Sequence, residues 1–334
     1  MLMVILPDEG RIGTLGRVYA PDNGGLAFDW TNSGVYFRFA GDGVKFKFDV
    51  PALNQHLYVQ ITVDGKKSRH CVYEGHADID IALSEGEHIV SMVRVNEVLD
   101  GVPLRLGLIV LEGEDAVLYE VPALPDRRML FIGDSITCGY GILTRGLGNG
   151  YKTAEQDGAH TFAALTATHF QAQAHFVCIS GRGIARNCDN FDAPLIPEFF
   201  EQTTVSNPTP WDHTQYQPDV VVVNAGTNDT AGEIDPVDVN VFKEKVAAFV
   251  ARLREVYPDA QILWVYGMMT DELHEALSDT FAAINDEKVT YLKVPAHWGF
   301  ENEVGASSHP NLRSHFRNAG IVIDKVAELT GWSV

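Results

Sequence analysis

Ser135 stands in Gly133-Asp134-Ser135-Ile136, directly after the apolar run Met129 to Ile132 and before Thr137-Cys138-Gly139-Tyr140-Gly141. A short buried strand therefore delivers one hydroxyl into a tight turn at its carboxyl end, the edge at which open parallel sheets place their ligands. That hydroxyl becomes a nucleophile only with a base in hydrogen-bond reach and with donors for a developing oxyanion. Twelve histidines compete for the first role. His169, His274 and His315 fall within helical patterns, and His70, His76 and His88 lie in the strand-rich first part of the chain. His309 differs. It belongs to Ser307-Ser308-His309-Pro310-Asn311, between the last strand-like run and the last helical one, where the proline pins the backbone and opens the helix. Two readings stay open for it, a general base or a histidine of the helix-cap region.

Donors are sought at the ends of the other strand-like runs. Asn224-Ala225-Gly226-Thr227-Asn228-Asp229 closes the run Val220–Val223, and Asn228 could offer its side-chain amide; an Asn/Asp turn capping the next element is the alternative. Ser180-Gly181-Arg182-Gly183 follows Val177–Ile179, and a glycine lets its N–H approach a reacting oxygen with no Cβ in the way. An ordinary strand-to-helix turn reads the same.

The elements that must position these residues change character along the chain. From Gly34 to about Leu111 the apolar residues alternate with period two: Val35, Phe37 and Phe39, then Val44, Phe46, Phe48 and Val50 after a turn expected at Gly41-Asp42-Gly43. Further alternating runs end at Asp64-Gly65 and at a turn expected over Glu85-Gly86-Glu87, and a last one carries Leu104, Leu106, Leu108 and Val110. Closely spaced short strands with glycine turns indicate a β-sandwich or jelly roll. The stretch Glu112 to Arg128, acidic and holding Pro122 and Pro125, marks a boundary, giving expected domains at 1–122 and 123–334. Beyond it, runs at Met129–Ile132, His175–Ile179, Val220–Asn224, Ile262–Tyr266 and Val289–Val294 alternate with helical spacing, clearest over Val239 to Tyr257. Phe242, Val246, Phe249, Val250 and Leu253 share one face there, and Pro258 ends the helix. Further helices are expected over Asp271 to Ile284 and from Pro310 to Leu329. Alternating strands and helices give a three-layer α/β/α domain on a parallel sheet.

The 334 residues carry 46% apolar and 21% charged side chains with a net charge of −20. That sign repels phosphate backbones and anionic lipid, so nucleic acid and membrane are poor partners and a neutral substrate fits better. Met1 to Leu6 lack a basic leader and a cleavage motif, and no run approaches the ~18 apolar residues of a spanning helix. A cytoplasmic protein is expected, or a secreted one if a leader has been trimmed. The four cysteines, 71, 138, 178 and 188, read as reduced core thiols. No HExxH, P-loop or paired CxxC occurs, so no cofactor and no metal is implied. Association into a homo-oligomer stays open.

Taken together and in order, Gly133-Asp134-Ser135-Ile136, Gly181, Gly226-Thr227-Asn228-Asp229 and His309-Pro310 resemble the four sequence blocks of the SGNH hydrolases, or GDSL family, over about Met129 to Val334. The resemblance implies Ser135 as nucleophile, the N–H groups of Ser135 and Gly181 with the Asn228 side chain as oxyanion hole, and His309 as general base. Within that family, the strings at 133–141 and 180–183 preceded by a jelly-roll half resemble carbohydrate esterase family 2, whose members deacetylate xylan and related β-glycans. One position departs: the family's aspartate three residues before the histidine is Ala306 here, which removes the usual Ser–His–Asp triad. Some members of the esterase family work with a Ser–His dyad oriented by a backbone carbonyl. A carbonyl near Ser307 or Ser308 is the preferred substitute here, and Glu301 or Glu303 the alternative.

For substrate contacts, Trp298 offers an aromatic face to the apolar face of a sugar ring, although a core tryptophan reads alike. Asp134 is set beside it as a second contact. Trp211 and the pair Asp189 and Asp192 are weaker candidates, and the glycine-rich stretch Gly139 to Gly150 is expected to shape the acyl pocket. The resemblance thus implies a serine esterase that removes O-acetyl groups from a carbohydrate such as xylan, through an acetyl-enzyme. Two alternatives are kept: a carbohydrate-binding protein with an impaired esterase site, and a GDSL esterase or thioesterase for a longer acyl group.

Overall fold

The computed structural model describes residues 2–98, 101–146, 152–232 and 237–333. The chain folds as two compact units, Met1–Leu124 with Thr203–Thr209, and Pro125–Gln202 with Pro210–Val334. The division is therefore not a single cut in the sequence. The loop Thr203–Thr209 joins the first unit because buried polar groups there need it. Trp30 Nε1 donates to Thr203 O at 2.8 Å, and the fully buried Asp29 carboxylate accepts from Ser206 N at 2.6 Å and Ser206 Oγ at 3.0 Å.

The first unit is a nine-stranded antiparallel sheet. Its strands are β1 (Leu2–Ile5), β2 (Gly13–Leu15), β3 (Leu26–Phe28), β4 (Gly34–Asp49), β5 (Leu57–Val63), β6 (Lys66–Val72), β7 (Asp78–Arg94), β8 (Leu104–Glu112) and β9 (Val117–Leu118). The turns expected at Gly41-Asp42-Gly43 and Glu85-Gly86-Glu87 do not form. β4 and β7 run through them as single long strands, paired at Gly41 and Gly86, with the register shifting between Gly41 and Gly43. The sequence carries the reason. Buried apolar side chains of β4 sit at odd positions up to Phe39 and at even positions from Val44, which is the switch of face that one extra bulge residue imposes. A Cβ on Gly41 would lie 2.3 Å from Glu112 O, so the bend accepts only glycine. β8 switches face in the same way: Leu104 and Leu106 are fully buried, then Ile109 and Leu111, whereas Leu108 is only partly covered. β4 pairs with β7 along one edge and with β2, β9 and β8 in turn along the other, so this one strand spans the curled sheet. Phe37, Phe39 and Phe46 fill the core, with ring centroids 6.0 and 6.2 Å apart.

In the second unit, β10 (Arg128–Gly133), β11 (Gln173–Cys178), β12 (Val220–Asn224), β13 (Gln261–Tyr266) and β14 (Val289–Lys293) form a wholly parallel sheet in the order β11-β10-β12-β13-β14. Residues such as Phe131, Val222 and Leu263 are buried in it, as strands covered on both faces require. The helices are α1 (Ser135–Cys138), α2 (Phe162–His169), α3 (Ile196–Phe200), α4 (Thr227–Thr230), α5 (Val239–Val256), α6 (His274–Ala283) and α7 (Leu312–Thr330). α5 buries the five apolar residues its spacing marks, and Asp238 caps its start through Asn240 N and Val241 N. Among the described residues no helix is long and apolar enough to cross a membrane. In this strand order the chain departs in opposite directions from β10 and from its neighbour β12, so the carboxyl ends of β10, β11 and β12 border the crevice at which such sheets bind ligands.

Candidate active site

Three loops meet at that rim. The first leaves β10. Asp134 is extended and caps α1, its Oδ1 accepting Ile136 N at 3.0 Å. Ser135 is thereby fixed as the first helical residue, where an N–H has no intrahelical acceptor. α1 lasts one turn because Gly139 turns left-handed at φ 78°. A Cβ on Gly133 would lie 2.3 Å from Thr137 Oγ1, so the turn closes on glycine.

The second loop, after β11, carries Gly181 at φ +77°, where a Cβ would meet the Phe191 ring at 3.1 Å. Asp229 organises its next turn: its carboxylate accepts Ile184 N at 3.0 Å, Ala185 N at 2.7 Å and Arg186 N at 3.0 Å. Burial pushes the Asp229 pKa up to about 6 against the lowering effect of those donors. The adjacent Asn228 sends its amide to Arg182 O at 2.9 Å and to Asp134 Oδ2 at 3.3 Å, tying the β12 loop to the other two.

The third loop lies before α7. His309 Nε2 is 2.7 Å from Ser135 Oγ, and its Nδ1 is 2.9 Å from Ser307 O. Because a carbonyl only accepts, Nδ1 carries the proton and Nε2 presents its lone pair to the serine hydroxyl. Ser307 and Ser308 both adopt left-handed backbone, at φ 48° and 64°, which costs each about 1–2 kcal/mol. The strap holds them there through Gly305 N to His309 O at 2.6 Å, His309 N to Ala306 O at 3.0 Å and Asn311 N to Glu303 O at 3.0 Å. Burial pulls the His309 pKa down to about 4, with nearby His297 lowering it further and the Ser307 and Ala306 backbone opposing both. The imidazole is thus neutral and accepting at neutral pH. The arrangement can accept a proton from Ser135 and return it.

The carbonyl of Ser307 occupies the position a triad aspartate would take. Ala306 is 1% exposed and packs on Gly141, where an added Cβ would sit 2.9 Å from that of the alanine. Neither alternative glutamate serves: Glu303 pairs with Arg317 at 2.7 Å, and Glu301 is exposed.

Ser135, His309, Asn228 and Asp134 are brought together, with Gly181 on the loop that Asn228 holds. Asp134 is a correction. It is fully buried and spends its carboxylate on the α1 cap and on Asn228, so it lies beneath the site and does not contact substrate. Trp298 is 54% exposed on the loop after β14 and donates to Met269 O at 3.0 Å, which leaves its ring available. Trp211 does not join them. It packs by His175, whose ring stacks on Tyr216, and the Tyr216 hydroxyl bonds to Met129 O and Gln173 O at the amino ends of the strands. Asp189 and Asp192 are exposed loop charges. Of the stretch 139–150, residues 147–150 lie outside the described residues.

Two aromatics escaped the sequence reading. The Tyr140 ring lies 4.4 Å from the His309 ring, tilted by 35°. Phe191 is 42% exposed, covers Gly181 and carries the Arg182 guanidinium 4.8 Å above its ring. Tyr140 stood inside the serine block and could have been marked as a contact, whereas nothing in the spacing links Phe191 to Gly181.

Known families match both parts of the chain. Residues 131–315 match the GDSL-like lipase/acylhydrolase family, and residues 14–118 match the carbohydrate esterase 2 N-terminal domain. The chain belongs to the GDSL-like lipase/acylhydrolase family. More particularly, it is similar to an acetylxylan esterase/glucomannan deacetylase of Cellvibrio japonicus, 24% identical over 98% of this chain and 91% of the relative. It is also 28% identical, over 75% of its length, to the cellulase/esterase CelE of Acetivibrio thermocellus, of which it spans only 31%. The structure of a family two carbohydrate esterase from Clostridium thermocellum in complex with cellohexaose superposes with a TM-score of 0.83 at 26% identity, covering 96% of this chain and 100% of that one.

Proposed function

We propose that the protein is a serine esterase that removes O-acetyl groups from a carbohydrate of the xylan or glucomannan kind. The observation that carries the reading is the 2.7 Å contact of His309 Nε2 with Ser135 Oγ at the carboxyl rim of the sheet. Similarity to carbohydrate esterases in both parts of the chain supports the substrate class.

Ser135 Oγ attacks the acetyl carbonyl while its proton passes to His309 Nε2, and the Ser307 carbonyl keeps the ring in register by accepting from Nδ1. The oxyanion takes hydrogen bonds from the N–H groups of Ser135 and Gly181 and from Asn228 Nδ2. Asn228 releases its longer bond, the one to Asp134, and keeps the one to Arg182 O. The intermediate collapses, His309 returns the proton to the sugar hydroxyl that leaves, and the acetyl group stays on Ser135. Water, deprotonated by the same imidazole, then frees acetate. The partner is thus an acetylated sugar, with Trp298 and Phe191 as exposed rings for it.

Acetate release from acetylated xylo-oligosaccharides, run beside p-nitrophenyl esters from acetate to octanoate, tests the proposal. Rates that fall with acyl length and vanish in Ser135→Ala support it. Rates that rise with length move the protein to a longer-chain acyl hydrolase, and glycan binding without any hydrolysis makes it a carbohydrate-binding protein.

A further inference from the structure

A cavity of about 500 Å³ lies at the start of α7, walled by 142–146 on one side and by Asn302, Val304 and 311–313 on the other. Such a volume suits a sugar-sized ligand. Its walls are tied together by Gly146 N to Val304 O at 2.9 Å, Leu312 N to Ile142 O at 3.0 Å and Asn311 Nδ2 to Asn302 O at 2.8 Å. Asn311 lies two residues along the chain from His309, so the cavity begins within about 7 Å of chain from the dyad.

Its charge does not match its surroundings. Arg145 and Arg313 both line it, and neither guanidinium has an ion-pair or hydrogen-bond partner among the described residues. Arg313 is also the second residue of α7, where the positive end of the helix dipole opposes a cation. In a chain of net charge −20 most anions are repelled at a distance, so two unpaired guanidiniums facing one cavity are a local reversal of the field. Thr144 Oγ1, in the same wall, is buried with no hydrogen-bond partner among the described residues. A planar, bidentate anion is what paired guanidiniums recognise best. A free hydroxyl, an amide and the apolar Ile142, Leu143 and Val304 suit the rest of a sugar.

The geometry points to an acidic-sugar subsite: the cavity takes a hexuronate residue adjoining the acetylated sugar, its carboxylate held by Arg145 and Arg313 and its hydroxyls by Thr144 and Asn302. The inference deepens the carbohydrate-ester reading above and rests on it for the position of the neighbouring sugar.

Calorimetric titration of the Ser135→Ala protein with a xylo-oligosaccharide carrying a hexuronate branch, and with its neutral counterpart, measures the subsite without turnover. The acidic ligand is expected to bind about 10-fold tighter at low salt, the scale of charge-assisted hydrogen bonds at partly exposed groups. The advantage should shrink near 0.5 M salt and disappear when Arg145→Gln and Arg313→Gln are added. With Ser135 intact, the same two substitutions should leave p-nitrophenyl acetate turnover within about twofold, because neither side chain touches the dyad. Equal affinity for the two ligands, or a preference that survives the double substitution, overturns the subsite. Acetate release without acidic preference removes the subsite alone. Acidic preference that depends on the two arginines, in a protein that releases no acetate from any ester, sustains the subsite and removes the esterase reading.

Discussion

The proposed base is half-buried beside a carbonyl rather than a carboxylate, and that predicts an unusual acid limb. The His309 pKa lies near 4, so at pH 6 roughly 99% of the imidazole is unprotonated, against about a quarter for a histidine at its ordinary 6.5. kcat/KM for p-nitrophenyl acetate, corrected with a Ser135→Ala blank, should therefore rise with pH through a midpoint near 4 and be flat from about 5.5 to 7. Stability moves in the same direction. Between pH 4 and 6.5 the unfolded chain binds a proton that native His309 refuses, so stability falls as pH falls across this window, by on the order of 3 kcal/mol. Fully buried His315, held near 3, adds a loss of the same sign extending to lower pH. Asp229, raised to about 6, opposes both: its native form keeps a proton between about 4 and 6 that the unfolded carboxyl releases, so its contribution is present below 4 and lost as pH rises through 6. Circular dichroism at each pH separates unfolding from titration. An acid limb centred at 6 to 7 in a protein that remains folded would refute the burial argument and require an anion beside Nδ1.

Substitutions test the remaining parts. Ser135→Ala should abolish acetate hydrolysis while leaving the thermal midpoint nearly unchanged, since the side chain makes one partly buried hydrogen bond; near wild-type turnover would exclude the mechanism. Asn228→Ala should lower kcat by 10²–10³ with KM little changed, and an unaltered kcat would take its amide out of the oxyanion hole. Gly181→Ala forces a side chain onto φ +77° beside Phe191, so about 1–2 kcal/mol of stability and most activity should be lost; Phe191→Ala in the same protein should not restore stability, because the strain is in the backbone. Ala306→Asp should cost several kcal/mol in denaturant unfolding without raising kcat, because the new carboxylate is buried against Gly141 while Nδ1 already has Ser307 O. Faster turnover in that variant would show that a triad can be rebuilt there.

Much of this was legible in the residues. The parallel strands reveal themselves as apolar runs because both faces are covered, and α5 as one face of five apolar residues. The first unit was harder. A bulge and a turn leave the same trace, a glycine and a change of parity, and only the pairing of Gly41 with Gly86 distinguishes them. At the site, Ser135 and His309 stood out because each follows or precedes an element that fixes it. The Ser307 carbonyl could be named only as a class of replacement, since two consecutive left-handed serines are not something a sequence announces. Asp134 was misjudged for a related reason. An acidic residue beside a nucleophile looks like a substrate contact, and its two bonds, to Ile136 N and Asn228, depend on residues that are near in space but not all near in sequence.

Replacing a buried aspartate with a carbonyl changes what the rest of the site must supply. A carboxylate would stabilise the imidazolium formed during attack; without one nothing fully offsets the desolvation that brings the His309 pKa to about 4, and the base is weaker for it. The compensation available is geometric. His309 is held by a strap whose left-handed serines are locked by three backbone bonds, and the oxyanion arm is held by Asp229 and Asn228 through four more. Donors already fixed in place need no reorganisation as charge develops, and in a dry site that is worth more than the pairwise strength of each bond suggests. Turnover should therefore be more sensitive to loosening either loop than to the charge beside the histidine. Asp229→Asn, which keeps the shape but cannot accept three N–H bonds equally, is expected to lower kcat by at least tenfold with little effect on substrate affinity, and an unchanged kcat would mean that the carboxylate clamp has no part in holding Gly181.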